Sequence, residues 1–456
     1  MLLLCVCVRY TKTGLNPRQQ SVPCWILSRN ECPTYALGCN VLNVQSGIPV
    51  VLRTNTIDAH TREGLFSAHR HVAVVATLVG VMFIATTLPT PLYVIYEHTF
   101  RFSRVTLTLV YAVYVVGNLV ALLLLGRTSD IIGRRKVSLA AIAIAMVSTI
   151  FFLFARDTAW LFWARIFNGV AVGLTAGTAT AWITELDPNQ DRARAAVITT
   201  TSNFLGLALG SLLAGVLAQY EPWPLRLTFV VYLGLLAALA ILIARTRETV
   251  TRREIGLNAL STWPQLGVPS GLGAPFTAPA LTVFGGMALA AFYAALIPSI
   301  LAENLGGPNH AVAGLVVAEF TIVVAITIVL TRRLESRSAM LGGLALLPFG
   351  LALLVAAQAC GSVPVLLIGT VASGISSALG YRGSLQVVNE IAPSDRRAEM
   401  VSTYFVVGFA GNALSVIGVG VISNFTSPLA ASIVFAVTIA VFAGVALIIA
   451  RRYLPE

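Results

Sequence analysis

Twelve separate runs of about 18 or more predominantly apolar residues recur along this chain, and that recurrence limits what it can fold into more than any other feature. A run of that length, wound as an α-helix, covers about 30 Å of hydrocarbon. Backbone N–H and C=O groups in lipid must find partners within their own segment, so such runs become helices. A membrane β-barrel would show short segments of alternating polarity instead, and none is present. Composition agrees: 57% of the 456 residues are hydrophobic and 11% are charged, against about 25% charged in a soluble domain. So few charges cannot surface a water-facing protein of this length.

The runs fall at 72–96, 105–125, 137–155, 159–184, 195–219, 227–244, 278–300, 311–330, 339–358, 364–390, 399–422 and 429–450. The net charge of +11 is not gathered into a nucleic-acid-binding patch but lies in short clusters between the runs. The loops at 126–136, 192–194, 245–253, 332–337 and 396–397, with the tail at 451–452, collect seventeen Lys and Arg; the opposite loops hold four, Arg101, Arg104, Arg156 and Arg226. Positive charge marks the cytoplasmic side, so both termini are expected there, in a multi-pass protein of the cell membrane.

The chain also repeats itself. Glu185-Leu-Asp-Pro188-Asn-Gln-Asp191-Arg192 closes the fourth run, and Glu390-Ile-Ala-Pro393-Ser-Asp395-Arg396 closes the tenth, about 205 positions later. The first and seventh runs match more weakly, at Phe83…Leu88-Pro89 and Phe292…Ile297-Pro298. Two pseudo-symmetric six-helix bundles, 71–244 and 278–452, are expected, joined by a cytoplasmic linker at 245–277 and followed by a short tail at 453–456. Parallel repeats of this kind place a binding site between the halves at mid-depth. The first 70 residues stand apart. They carry Cys5, Cys7, Cys24, Cys32 and Cys39 without a zinc-ligand spacing. They are expected to be a poorly structured cytoplasmic extension or the product of an early start assignment.

Between the second and third runs lies Gly126-Arg-Thr-Ser-Asp130-Ile-Ile-Gly133-Arg134-Arg135-Lys136. The glycines allow a tight reversal, and Asp130 can accept hydrogen bonds from Arg134 or from the N–H groups of a helix start. This phrase resembles the signature loop of the major facilitator superfamily, G-x-x-x-D-x-x-G-R-R/K, at the place where that family carries it. The resemblance implies a twelve-helix, all-α transporter in which Asp130 latches a cytoplasmic gate between the halves. Arg165-Ile-Phe-Asn168-Gly169-Val-Ala-Val-Gly173 is similar to a second phrase of the family, with Asn168 where Gln is usual. Gly169, Gly173 and Gly177 form a stripe suited to close helix packing. Gly206-x-x-x-Gly210-Ser211-x-x-Ala214-Gly215 resembles the family's antiporter phrase, but Ser211 replaces its proline.

Three strongly charged residues sit inside runs. Arg165 can snorkel to the surface as an anchor, or face the cavity and take part in proton transfer or anion binding. Glu319 lies mid-run, where an ionised carboxylate is costly and a neutralised one is suited to carrying a proton. Arg382 lies lower, about 14 Å from Glu319 in depth, too far for a salt bridge. Cavity-wall candidates are Tyr111, Tyr114, Asn118, Tyr293, Tyr381, Tyr404 and Asn412.

The energy source follows from the lysines. There are two, Lys12 and Lys136, and neither follows a glycine, so no phosphate-cradling G-x-x-x-x-G-K-[ST] loop exists. No nucleophile–base pair, metal-ligand cluster or cofactor motif falls in any run. The expected activity is transport rather than catalysis: a monomer in the bilayer exporting a small organic solute, drug or metabolite, by proton antiport. Uptake of such a solute by proton symport is the alternative, and a non-transporting sensor or scaffold ranks below both.

Overall fold

A computed structural model describes residues 69–126, 128–250, 266–302 and 309–453, with the backbone alone at 6–8, 41–42, 50–52, 59–68 and 303–304. The chain divides after Ser67. In the first unit three short strands, β1 (Val6–Val8), β2 (Val41–Leu42) and β3 (Val50–Leu52), pair antiparallel in the order β1-β3-β2. Neither those pairings nor a helix already running from Ala59 fits the poorly structured extension expected over 1–70; the rest of that stretch lies outside the described residues.

Every described element of the second unit is a helix, the first of which begins before the division, at Ala59. Its elements are α1 (Ala59–Thr87), α2 (Tyr93–Phe100), α3 (Arg104–Leu125), α4 (Thr128–Ile132), α5 (Arg134–Leu153), α6 (Thr158–Leu186), α7 (Arg192–Tyr220) and α8 (Pro224–Ala244). The other half follows as α9 (Gly273–Ala295), α10 (Ile297–Asn304), α11 (His310–Leu330), α12 (Ser336–Cys360), α13 (Val363–Ile391), α14 (Arg397–Phe425) and α15 (Pro428–Tyr453). Twelve of these are long and apolar enough to cross a membrane. The loops rich in Lys and Arg lie together on what is called here the basic side.

The weakly matching prolines mark equivalent breaks. In the first half α1 stops at Thr87, and a single 3-10 turn, Thr90–Leu92, carries the chain over Pro89 and Pro91 into α2. In the second half α9 stops at Ala295 and α10 restarts at Ile297-Pro298. Proline has no N–H to give and crowds the preceding turn, so each first helix is severed on the far side. Other ends are capped as the side chains allow. Asp157 accepts the N–H groups of Ala159 and Trp160 at 2.9 and 3.3 Å, and Asp191 those of Ala193 and Arg194 at 2.9 and 3.0 Å.

Small residues bring the helices together. Gly206 lets α7 lie against the carbonyl of Gly80 in α1, and Gly210 lets it meet that of Ile84. A Cβ on Gly173 would stand 2.7 Å from the Asn118 carbonyl of α3, so no side chain fits there. Gly169 packs α6 on α3 in the same way, and Gly177 faces Gly126. In the second half Gly343 of α12 and Gly380 of α13 play this part. The halves themselves join through α7 with α11 and through α3 with α14. Both seams are tightest on the far side. Gly215 meets Gly314 and the His310 carbonyl, and a Cβ on Gly420 would fall 3.1 Å from that of Thr108.

Candidate functional site

The glycine-rich loop on the basic side is tied down from within its own half. Arg134, almost wholly buried, pairs with Asp130 at 2.5 Å and with Glu185 of α6 at 2.8 Å. It also donates to Ser129 at 2.6 Å. Two Glu185 oxygens are thereby engaged, and Thr249 donates a further hydrogen bond to one of them. Sequence reasoning offered Asp130 as acceptor for a helix start; that part falls instead to Glu248. Its carboxylate accepts the backbone N–H of Arg134 at 2.9 Å and of Arg135 at 3.1 Å, at the positive end of α5. Gly133 has φ +113°, and a Cβ there would lie 2.6 Å from Glu248 Oε2. The second glycine of the phrase is therefore needed twice, for its backbone and for the space. Among the described residues, the ion pair of Asp130 is with Arg134 of its own half.

The repeat explains itself here. Glu390, equivalent to Glu185, accepts a hydrogen bond of 2.7 Å from Ser336, the first residue of α12. Ser336 occupies the position that Arg134 holds in α5. Each half thus fastens the start of its third membrane helix to the end of its fourth, once with an ion pair and once with a hydroxyl. In the second half Arg382 takes over part of the loop's stapling, donating to the carbonyls of Arg332 and Leu334 at 2.9 and 2.7 Å.

Arg165 does not snorkel. Its side chain is 0% exposed. Nε donates to the Tyr93 hydroxyl at 2.8 Å, Nη2 donates to the same oxygen, and Nη1 donates to the Thr86 carbonyl at 3.0 Å. Thr86 and Tyr93 flank the proline break, so one guanidinium holds both sides of it. The rings of Tyr93, Tyr111, Tyr114 and Phe152 surround the cation, with centroids 5.4, 5.7, 5.9 and 6.0 Å away. Among the described residues no carboxylate pairs with Arg165. Its charge is stabilised by ring faces and neutral acceptors.

Several cavity candidates do meet between the halves. Phe409 and Ala413 of α14 pack against the cluster of Tyr114, Val115 and Val172, and Asn412 of α14 lies against Tyr111. The Asn412 amide oxygen is buried without a hydrogen-bond partner. Tyr381 meets Phe204 of α7 edge-on, with centroids 6.5 Å apart. Others do not reach the seam. Asn118 is turned into the α3–α6 contact against Gly173. Tyr293 stacks on Phe320 at 4.7 Å and bonds Ser373 at 3.3 Å, and Tyr404 bonds Ser384 at 2.7 Å, all within the second half.

Glu319 and Arg382 also face away from the seam. Glu319 shares a stripe of α11 with Leu315 and Ile326, which are 50% and 53% exposed, whereas Gly314, one residue away, faces α7. Arg382 falls on the stripe of α13 that holds the exposed Ile368 and Val371. Large apolar side chains exposed along the length of a membrane helix face lipid.

Twelve spanning helices in two pseudo-repeated halves, meeting through α7–α11 and α3–α14 over a seam with buried polar groups, define a class of integral membrane protein. The family model described as Major Facilitator Superfamily matches residues 75–293. A solved bacterial homolog of the human lysosomal transporter Spinster, in an inward-facing and occupied conformation, superposes with TM-score 0.67. Its identity is 16%, over 84% of this chain and 97% of that one. An uncharacterized MFS-type transporter of Methanocaldococcus jannaschii is 26% identical over 36% of this chain and 41% of its own length. The major myo-inositol transporter IolT of Bacillus subtilis is 37% identical over 20% of this chain and 18% of its own. These matches span less than half the length of either relative. Over residues 75–293 in sequence, and in its fold, this chain is similar to the major facilitator superfamily.

Proposed function

We propose that the chain is a secondary active transporter that exports a small organic solute in exchange for protons, its two halves rocking about the seam between them. One observation carries the reading. The halves touch at Gly215–Gly314 and at Thr108–Gly420 on the far side, while the ion pairs of the basic side, Asp130–Arg134–Glu185, Asp187–Arg194 and Arg396–Glu399, each close within one half. That is the packing of an inward-facing member, with the basic side in the cytoplasm. Both termini then lie in the cytoplasm, and the protein works as a monomer in the cell membrane.

Glu319 is the one acidic residue more than two turns from either end of a described span, and we assign it the coupling proton. The aromatic, sparsely charged seam suits an amphipathic solute. A substrate screen in proteoliposomes with an imposed pH gradient tests the whole reading: the solute is expected to move against the proton flux, and Glu319→Gln to lose the response to pH. A normal pH response in that variant excludes Glu319.

Uptake by proton symport is the second reading. It is favoured by the antiporter phrase itself, where Ser211 stands for proline and α7 runs unbroken from Arg192 to Tyr220. Solute moving in the same direction as protons in the same assay would establish it.

A further inference from the structure

The lipid-facing position of Glu319 is not what a group serving only the central seam requires. It lies nine residues into α11, about 14 Å from one end and about 17 Å from the other at 1.5 Å per residue, near mid-membrane. One carboxylate oxygen, Oε2, is shielded and has no hydrogen-bond partner. The residues above and below it on the same stripe, Leu315 and Ile326, are large, apolar and exposed. Next to α11, α13 runs in the same direction and approaches closely where Gly374 admits Val323. Glu319 lies one turn before Val323, and Val371 nearly one turn before Gly374. The helix registers therefore put the carboxyl beside the α11–α13 contact, on the side where Leu315, Val371 and Ile368 are exposed, with Tyr293 of α9 within electrostatic reach.

A carboxyl in hydrocarbon is stable when it holds its proton or meets a cation. The molecules that reach mid-membrane and satisfy it are amines with an apolar body, which cross into lipid in their uncharged form. We propose that this edge of the α11–α13 contact is a lateral binding site for an amphipathic amine that arrives from within the bilayer. The nitrogen lone pair takes the Glu319 proton, giving an ammonium–carboxylate pair. One O–H bond is broken and one N–H bond formed, and no net charge enters or leaves. The hydrocarbon body lies along the Leu315–Ile326 stripe. Naming the amine as cargo rests on the export reading; its binding does not.

The full chain in phosphatidylcholine nanodiscs, photolabelled with a dodecylamine bearing a diazirine and with the matching alcohol, tests the site. The amine is expected to label 315–326 and 364–375 at least tenfold more than the alcohol, and Glu319→Gln to bring the two to the same level. Leu315→Trp, which keeps the carboxyl but covers its approach, is expected to reduce amine labelling as well. Equal labelling by amine and alcohol in the unaltered protein, or unchanged amine labelling in Glu319→Gln, overturns the proposal. Alcohol labelling of the exposed stripes reports whether each variant is folded. Transport is read separately: labelling without transport leaves the site standing and removes the export reading, and transport without labelling does the reverse.

Discussion

Arg165 is the residue whose surroundings most constrain the mechanism. A buried guanidinium without a carboxylate depends on every acceptor it has, and the Tyr93 hydroxyl supplies two of its three hydrogen bonds. Tyr93→Phe leaves two donors unsatisfied and is expected to lower stability by about 1–3 kcal/mol, read as a fall in melting temperature in detergent. Arg165→Lys retains the charge but loses the planar fork that reaches both sides of the proline break; it is expected to insert normally and to transport at least tenfold more slowly. The sequence offered Arg165 as an anchor or a coupling residue and Tyr111 and Tyr114 as separate cavity-wall candidates; the structure brings the three together. Nothing in the sequence pointed to Tyr93, 72 positions away, because a hydrogen-bond partner across a fold leaves no periodic trace. The orientation of Glu319 was equally hidden. A membrane helix is apolar on both its lipid and protein faces, so hydropathy reports its length and says little about its rotation.

At the level of elements most spans were legible to within a few residues, but the first and seventh runs, drawn at 72–96 and 278–300, were carried across breaks that end their helices at Thr87 and Ala295. The run placed at 399–422 is α14, Arg397–Phe425, and the matched Leu88-Pro89 and Ile297-Pro298 mark the two severed helices. Such features are written in local chemistry, as length, proline and capping side chains. The docking of Glu248 onto the start of α5 is not local and was missed, although it is what makes Gly133 necessary. Gly133→Ala must hold a Cβ at φ +113° and displace the carboxylate, and is expected to cost at least about 1–2 kcal/mol from the backbone alone. Combining it with Glu248→Ala removes the clash but leaves the backbone strain. A double-mutant cycle by chemical denaturation should therefore give less than the sum of the single effects. Additivity would show that the two residues do not meet.

For the whole molecule, the seam on the far side is the part that must open if the halves rock. Thr108 and Gly420 stand close enough there for a disulfide between cysteines, given a few tenths of an ångström of relaxation. Thr108→Cys with Gly420→Cys, on a background lacking the native cysteines, is expected to cross-link under mild oxidation. Transport should stop and return with reductant; full transport in the cross-linked protein would mean that this seam does not part. The repeat carries a different consequence. Its two copies have the same architecture but unlike chemistry at the corresponding joint: Arg134 meets Glu185 through charge, and Ser336 meets Glu390 through a neutral hydroxyl. Salt screens the first, through its part-exposed Glu185 side, more than it does the second. Rising ionic strength in the surrounding solution therefore acts on one of the two corresponding joints more than on the other, giving a duplicated scaffold an unequal sensitivity that its symmetry alone would not supply.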